Sequence, residues 1–165
     1  MLAEFLGEWK PTHPHHHTSH SHPFWWVHVV FCAKYRRSFI TPDVKPKMYE
    51  LLRKELRKKR CSVDVINGMP DHVHLLLQLD ASKSIATLLH QCKGGSSNTI
   101  NKEQWFDREF KWSVGYGAFS VSQSLVDKVR TYILNQEKHH ERVKFKEEYN
   151  RLLKLHGLEP DDLED

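Results

Sequence analysis

No stretch of this chain approaches the roughly 18–20 consecutive apolar residues that crossing a bilayer requires, so no membrane role is expected. The N-terminus lacks the basic start and long apolar run of a secretory signal, and the expected location is the cytoplasm. Cysteine is scarce: Cys32, Cys61 and Cys92 are odd in number and widely spaced. They suit neither a disulfide framework nor a CxxC metal site, and read as small buried hydrophobes in a reducing compartment. No internal repeat or domain linker is visible. Strong net charge is also absent, at +4. What remains is ordinary: 165 residues, 39% apolar and 28% charged, enough for one domain with a real core.

The charge that is present is unevenly spread. Residues 34–60 hold eleven Lys or Arg against three acids, whereas the last nine residues hold five acids and no Lys or Arg. A basic front half and an acidic tail suggest a polyanion such as nucleic acid as partner, although solvated helix faces produce the same pattern. Lys34, Arg36 and Arg37 form one candidate DNA-binding group, and Arg57, Lys58 and Arg60 a second, beside Arg53, Lys54 and Lys59. Trp105, Phe106, Trp112 and Tyr116 are candidate stacking platforms, each competing with a role in the core.

Residues 1–22 carry six histidines among Thr, Ser and Pro without periodicity, and read as a disordered extension. Residues 23–157 read as the functional domain and 158–165 as an acidic tail. Within the domain, 24–34 is an aromatic and β-branched strand. Thr41-Pro42-Asp43 is a helix-start signal, and apolar spacing predicts a helix over 43–60. Strands follow at 61–69 and 72–79, joined as a hairpin. A helix is expected from Ser82 through Cys92 towards Ile100, with a bend or break at Gly94-Gly95. A fourth strand is expected at 111–121. A helix over 125–140 is expected to be capped at Ser124, and a last helix to span 145–155, stopped by Gly157. The order β-α-β-β-α-β-α-α is α+β. Its first six elements are the split βαβ, ferredoxin-like arrangement: an antiparallel sheet with helices on one face, followed by C-terminal helices.

The stretch Gly68-Met69-Pro70-Asp71-His72-Val73-His74-Leu75-Leu76-Leu77 holds the most chemistry. On a strand, His72 and His74 share one face, while Val73, Leu75 and Leu77 share the other, apolar one. Two neighbouring imidazoles can hold a divalent cation, with Asp71 behind them to orient a ring. An isolated His-x-His is more often an exposed or hydrogen-bonded pair. A plausible oxygen ligand and a nucleophile occur together later, as Gln136 and Tyr132, four residues apart on one helical face. Taken singly, Tyr132 reads as an amphipathic packing residue and Gln136 as a surface one. Together they compose a mechanism: a cation polarises a phosphodiester, and a tyrosine oxygen attacks phosphorus to leave a covalent phosphotyrosine. Nearby cations such as Arg130 are expected to favour the phenolate.

GMPDHVHLLL resembles the histidine-hydrophobe-histidine (HUH) motif, and TYILNQ the tyrosine helix, of the single-tyrosine transposases of small bacterial insertion sequences, the IS200-like group. HVVFCAKYRR, WSVGYGAFSVS and the tail from NQEKHH to FKEEYNRLLKLHGLE are similar to the same family. The resemblance spans about residues 24–157. It implies His72, His74 and Gln136 as ligands of Mg²⁺ or Mn²⁺, Tyr132 as nucleophile, and no organic cofactor. It also implies cleavage of single-stranded DNA beside hairpins at element ends, a 5′-phosphotyrosine with a free 3′-OH, and strand rejoining. The implied assembly is a homodimer, often with the tyrosine helix of one subunit completing the other's site. Three rivals stand beside this reading: a replication or mobilisation relaxase, a domesticated hairpin-specific nuclease, and a non-catalytic ferredoxin-like nucleic-acid-binding domain.

Overall fold

Four strands form one open antiparallel sheet: Phe24–Cys32 (β1), Ser62–Met69 (β2), His72–Asp80 (β3) and Gly117–Val121 (β4). Their order is β2-β3-β1-β4. Lys45–Arg57 (α1) connects β1 to β2, and Ile85–Lys102 (α2) connects β3 to β4. This is the split βαβ arrangement, so the chain is an α+β protein with β3, the histidine strand, inside the sheet. The computed structural model describes residues 24–140 and 144–159. The histidine-rich stretch 1–22 and residues 160–165 of the acidic tail lie outside the described residues.

The register sorts the two faces. Val29 pairs with Leu75 and Phe31 with Val73. These side chains meet Met48, Leu52 and Leu56 of α1 and Leu88, Leu89 and Cys92 of α2 in the main core. Leu75 and Leu77 are fully buried there, each worth ~1.5–3 kcal/mol of apolar transfer. The alternate residues face the other way: Cys32 pairs with His72, Val30 with His74 and His28 with Leu76. That face lies away from the main core, as the alternation predicts, but it is not open. Val126–Leu134 (α3) covers one side through Val126 and Ile133 against Val65 and Leu76. Phe145–Leu155 (α5) covers the other through Phe145, Tyr149 and Leu153 against Val30 and Phe119. Gln136–His140 (α4) lies between them in sequence. Two small apolar clusters therefore flank a polar strip over His28, His72 and His74.

Local departures from expectation have local causes. α2 runs unbroken through Gly94-Gly95, because one face packs Leu88, Leu89, Cys92, Ser96 and Ile100 inward, and it starts at Ile85, capped by Ser84, rather than at Ser82. β4 begins only at Gly117; of the expected start, Trp112 makes an isolated bridge with Ala33. The helix expected over 125–140 is divided. Gln123–Leu125 forms a 3₁₀ turn, α3 ends at Leu134, and α4 restarts at Gln136, with Asn135 (φ −95°, ψ 18°) at the break. Ser124 caps nothing; its hydroxyl pairs with Ser122. Cys61 and Cys92 are buried, and burial pushes both thiols up to about 12. No helix is long and apolar enough to cross a membrane among the described residues.

Candidate active site

The site is built on the hairpin joining β2 to β3. Its two-residue turn, Pro70-Asp71, is pinned by two backbone bonds: Ala33 N–H donates to the Asp71 carbonyl and Ile40 N–H to that of Pro70, both at 2.8 Å. Gly68 lies inside β2 opposite Val73. Beside the turn, Tyr35 and Arg36 adopt left-handed backbone (φ 56° and 50°). Arg36 bonds Asp71 Oδ2 through Nη2 at 3.1 Å. Asp71 Oδ1 lies 2.7 Å from His72 Nδ1. Burial opposes ionisation of Asp71, but His72 and Arg36 hold its carboxyl below the ordinary value. With the ionised carboxylate accepting the Nδ1 proton, the neutral form of the His72 ring directs its Nε2 lone pair to the interior.

His74 is backed in a similar way by a residue that sequence reading missed. His28 of β1, 3% exposed, places Nε2 2.9 Å from His74 Nδ1. Burial, reinforced by His74, pushes His28 down to about 3. Burial pushes His74 down to about 4, against the pull of Glu148. Both rings are therefore neutral at pH 7. When His74 donates through Nδ1 to His28, its Nε2 lone pair also faces the strip.

Tyr132 and Gln136 converge on the histidines despite the helix break between them, and all four residues belong to one chain. The Tyr132 ring centroid is 6.0 Å from those of His28 and of His74. The hub of the cluster is Glu148 of α5, 2% exposed, which sequence reading also missed. Its Oε1 accepts from the Tyr132 hydroxyl and, at 3.0 Å, from Gln136 Nε2. Its Oε2 lies 2.7 Å from His140 Nε2. Burial works against ionisation of Glu148, but His140, His74 and Tyr132 hold its pKa far below the carboxylate range. Burial, then the Glu148 charge, raises the Tyr132 pKa, so the phenol is held protonated. Arg130 does not offset this: it bonds Asp64 (Nε to Oδ2, 2.7 Å) and Asp127 instead.

Three buried atoms of this strip have no hydrogen-bond partner among the described residues: His72 Nε2, His74 Nε2 and Gln136 Oε1. A buried polar atom without a partner costs ~1–3 kcal/mol, and all three are oxygen or nitrogen donors suited to a divalent cation. The residues present therefore fit such an ion. His72, His74, His140 and Glu148 form a cluster whose ligand atoms lie within 4.8 Å of one another.

The basic residues do not gather in one place. Lys34, Arg36 and Arg37 lie at the His72 end of the sheet, with Arg36 engaged by Asp71 and lying 4.7 Å over the Phe145 ring. Arg57 and Arg60 lie at the Ser62 end of β2, lining with Arg53 a concavity of about 420 Å³. The two ends are separated by the length of β2, roughly 20–25 Å at ~3.3 Å per residue. Lys58 is paired with Glu55 at 2.5 Å, and Arg57 lies 3.8 Å from Glu50. Of the aromatic candidates, Trp112 is buried and donates to Ser96 Oγ at 2.9 Å. Phe106 packs against the core, and Lys47 lies 3.7 Å over Trp105. Tyr116 is exposed, as is Trp25, which sequence reading did not single out.

Fold and site together define a ferredoxin-like domain with a buried cluster of histidines, one carboxylate and a tyrosine. The chain belongs to the IS200-like transposase family: the family profile described as "Transposase IS200 like" matches residues 23–136. Curated relatives agree. The ISDra2 transposase TnpA of Deinococcus radiodurans is 27% identical over 115 residues, covering 66% of this chain and 81% of the relative. The transposase for insertion sequence element IS200 of Salmonella typhimurium is 30% identical over 115 residues, covering 66% and 74%. Two solved structures share the fold. One, a Deinococcus radiodurans R1 protein assigned as a transposase, gives a TM-score of 0.59 at 22% identity, covering 73% of this chain and 96% of that one. The other, a REP-associated tyrosine transposase bound to a REP hairpin, gives 0.57 at 12% identity, covering 79% and 76%. Family membership implies an enzyme that cleaves DNA.

Proposed function

We propose that the protein cleaves and rejoins single-stranded DNA through a covalent link to Tyr132, with Mg²⁺ or Mn²⁺ held by His72, His74 and Gln136. The observation that carries this reading is the set of three buried donor atoms without a hydrogen-bond partner among the described residues, beside the half-buried Tyr132. When bound, the cation polarises the phosphodiester and fixes its geometry. The chain's own residues do the rest. Asp71 and His28 hold the two imidazoles in the tautomers that leave Nε2 free. Glu148 aims the Tyr132 hydroxyl by accepting its hydrogen bond. The Tyr132 oxygen attacks phosphorus as its proton is released to solvent, the bond from phosphorus to the 3′ oxygen breaks, and the leaving 3′ oxygen takes up a proton from solvent. A 5′-phosphotyrosine and a free 3′-OH result. A later 3′-OH reverses the step and rejoins a strand without external energy, because the linkage conserves the phosphodiester bond.

Hairpins at element ends are the proposed substrate, by analogy with the hairpin-bound relative. Lys34 and Arg37 would meet phosphates near the cut, and Arg57 and Arg60 a more distant part of the same DNA. Tyr132 would act beside the histidines of its own chain or those of a second copy, and the homodimer implied by the family would pair two ends. The test is a denaturing gel of protein mixed with labelled single-stranded DNA from the gene's own flanks, with Mn²⁺ or with chelator. A metal-dependent, protease-sensitive adduct that is lost in Tyr132→Phe is expected. An adduct that persists in Tyr132→Phe would sink the nucleophile assignment. Salt-sensitive binding without any adduct on any end sequence would favour a purely binding domain.

A further inference from the structure

Glu148 lies outside residues 23–136, the stretch shared with the family profile, yet it is the centre of the site. Its Oε2 is 3.9 Å from His72 Nε2 and its Oε1 3.6 Å from His74 Nε2. These separations are too long for hydrogen bonds but suit two ligands of one ion. Donors ~2.1 Å from a shared cation stand ~3.0 Å apart at a right angle and ~4.2 Å apart when opposed. Both partnerless imidazole nitrogens therefore look towards the carboxylate from cation-sharing distance. Among the described residues, the ion-pair partners of Glu148 are histidines alone: His72, His74, His139 and His140. A buried carboxylate needs a compensating positive charge, which a divalent cation among these donors would supply. His140, 2.7 Å from Oε2, fixes the carboxylate's orientation.

We propose that Glu148 is a further ligand of the cation held by His72, His74 and Gln136, with His140 as its positioning residue, so that α5 completes the metal centre. The inference rests on the metal-dependent reading above and deepens it. It makes α5, whose own packing is the Phe145–Tyr149–Leu153 cluster, part of the metal centre.

The test measures Mn²⁺ binding to the full chain by titration calorimetry, without DNA. Glu148→Gln keeps the side-chain shape and an acceptor for Tyr132 but removes the charge. It is expected to weaken Mn²⁺ binding at least tenfold while the metal-free melting temperature stays near wild type. Tyr132→Phe, which removes only the hydroxyl held by Glu148, is expected to bind Mn²⁺ within twofold of wild type. Should Glu148→Gln fail to fold, the unmutated chain gives the answer by infrared difference spectroscopy. His72, His74 and Gln136 contain no carboxylate, and recording the same spectrum on Asp71→Asn removes the carboxylate bonded to His72, so a carboxylate stretch that still shifts on Mn²⁺ addition reports the proposed ligand. Folded Glu148→Gln with undiminished affinity, or a wild-type spectrum with no carboxylate shift, overturns the inference and leaves the His72–His74–Gln136 site intact. Failure of wild type to bind Mn²⁺ at all overturns the metal reading and this inference with it.

Discussion

Asp71 offers a graded test, because the path Arg36–Asp71–His72 divides into one exposed and one buried step. Asp71→Ala removes the acceptor 2.7 Å from His72 Nδ1, in a ring only 1% exposed. The Nδ1 proton then loses its partner in a site sheltered from water, which costs ~1–3 kcal/mol of stability. For a domain of this size that is about 2–4 °C in Tm per kcal/mol. The free tautomer also leaves Nε2 protonated part of the time, and the loss of an orienting carboxylate typically costs ~10–100-fold in metal affinity. Arg36→Ala removes the outer pair, between side chains 38% and 19% exposed, and the cation–π contact with Phe145. Its direct cost is ~0–1 kcal/mol, and its effect on Mn²⁺ affinity should stay below about threefold. Calorimetric titration with Mn²⁺, together with metal-free thermal melts of the two variants, separates the contributions. If Asp71→Ala retains Mn²⁺ affinity within twofold, or if Arg36→Ala is as damaging as Asp71→Ala, the argument that Asp71 sets the His72 tautomer is wrong.

Two further outcomes follow from burial and close approach. A Cβ added at Gly68 would stand 2.2 Å from the His72 carbonyl oxygen and 2.8 Å from Val73 Cα, both backbone. Gly68→Ala should therefore cost ~1–3 kcal/mol or more in overpacking and disturb the histidine strand; urea unfolding that matches wild type would contradict the observed β2–β3 approach. His28 and His74 are both pulled below their ordinary 6.5, to about 3 and about 4. Below pH 6.5 the unfolded chain takes up these protons and the native chain does not, so stability falls as pH drops from 6.5 towards 4, by about 1.4 kcal/mol per pH unit for each proton. Metal-free urea unfolding should show a shallower acid slope for His28→Gln than for wild type, and equal slopes would refute the neutral-pair assignment.

The fold was largely legible because its signals are local. Alternation in Ser62–Met69 and His72–Asp80 and the β-branched run of β1 mark strands directly, and two helices between them leave few topologies. The misreadings fall where packing overrides a local cue. Gly94-Gly95 is a helix breaker by propensity, yet α2 continues because its buried face secures it on both sides. The apolar pattern of 125–140 is compatible with one helix, and nothing in the residues themselves marks the interruption at Asn135.

The site was legible in one half only, and the division has a physical reason. His72, His74, Tyr132 and Gln136 announce themselves through short-range spacing, two residues apart on one strand and four apart across the α3–α4 junction. His28 and Glu148 act across elements, and no periodicity in their own segments distinguishes them. The signal that could have found His28 was the apolar setting of FWWVHVVFC, in which a lone histidine must be buried or bonded. Knowing the sheet order, one would seek its partner on the adjacent strand, and the same-face residues of β3 are His74 and Leu76. For Glu148, the signal was an acid on the apolar side of α5, in step with Phe145, Tyr149 and Leu152. A carboxylate buried at the cost of desolvation must find donors or a cation. In this chain the donors that meet it are the very groups that sequence reading had assembled without it, so the missed residue is the one that ties the predicted ones together.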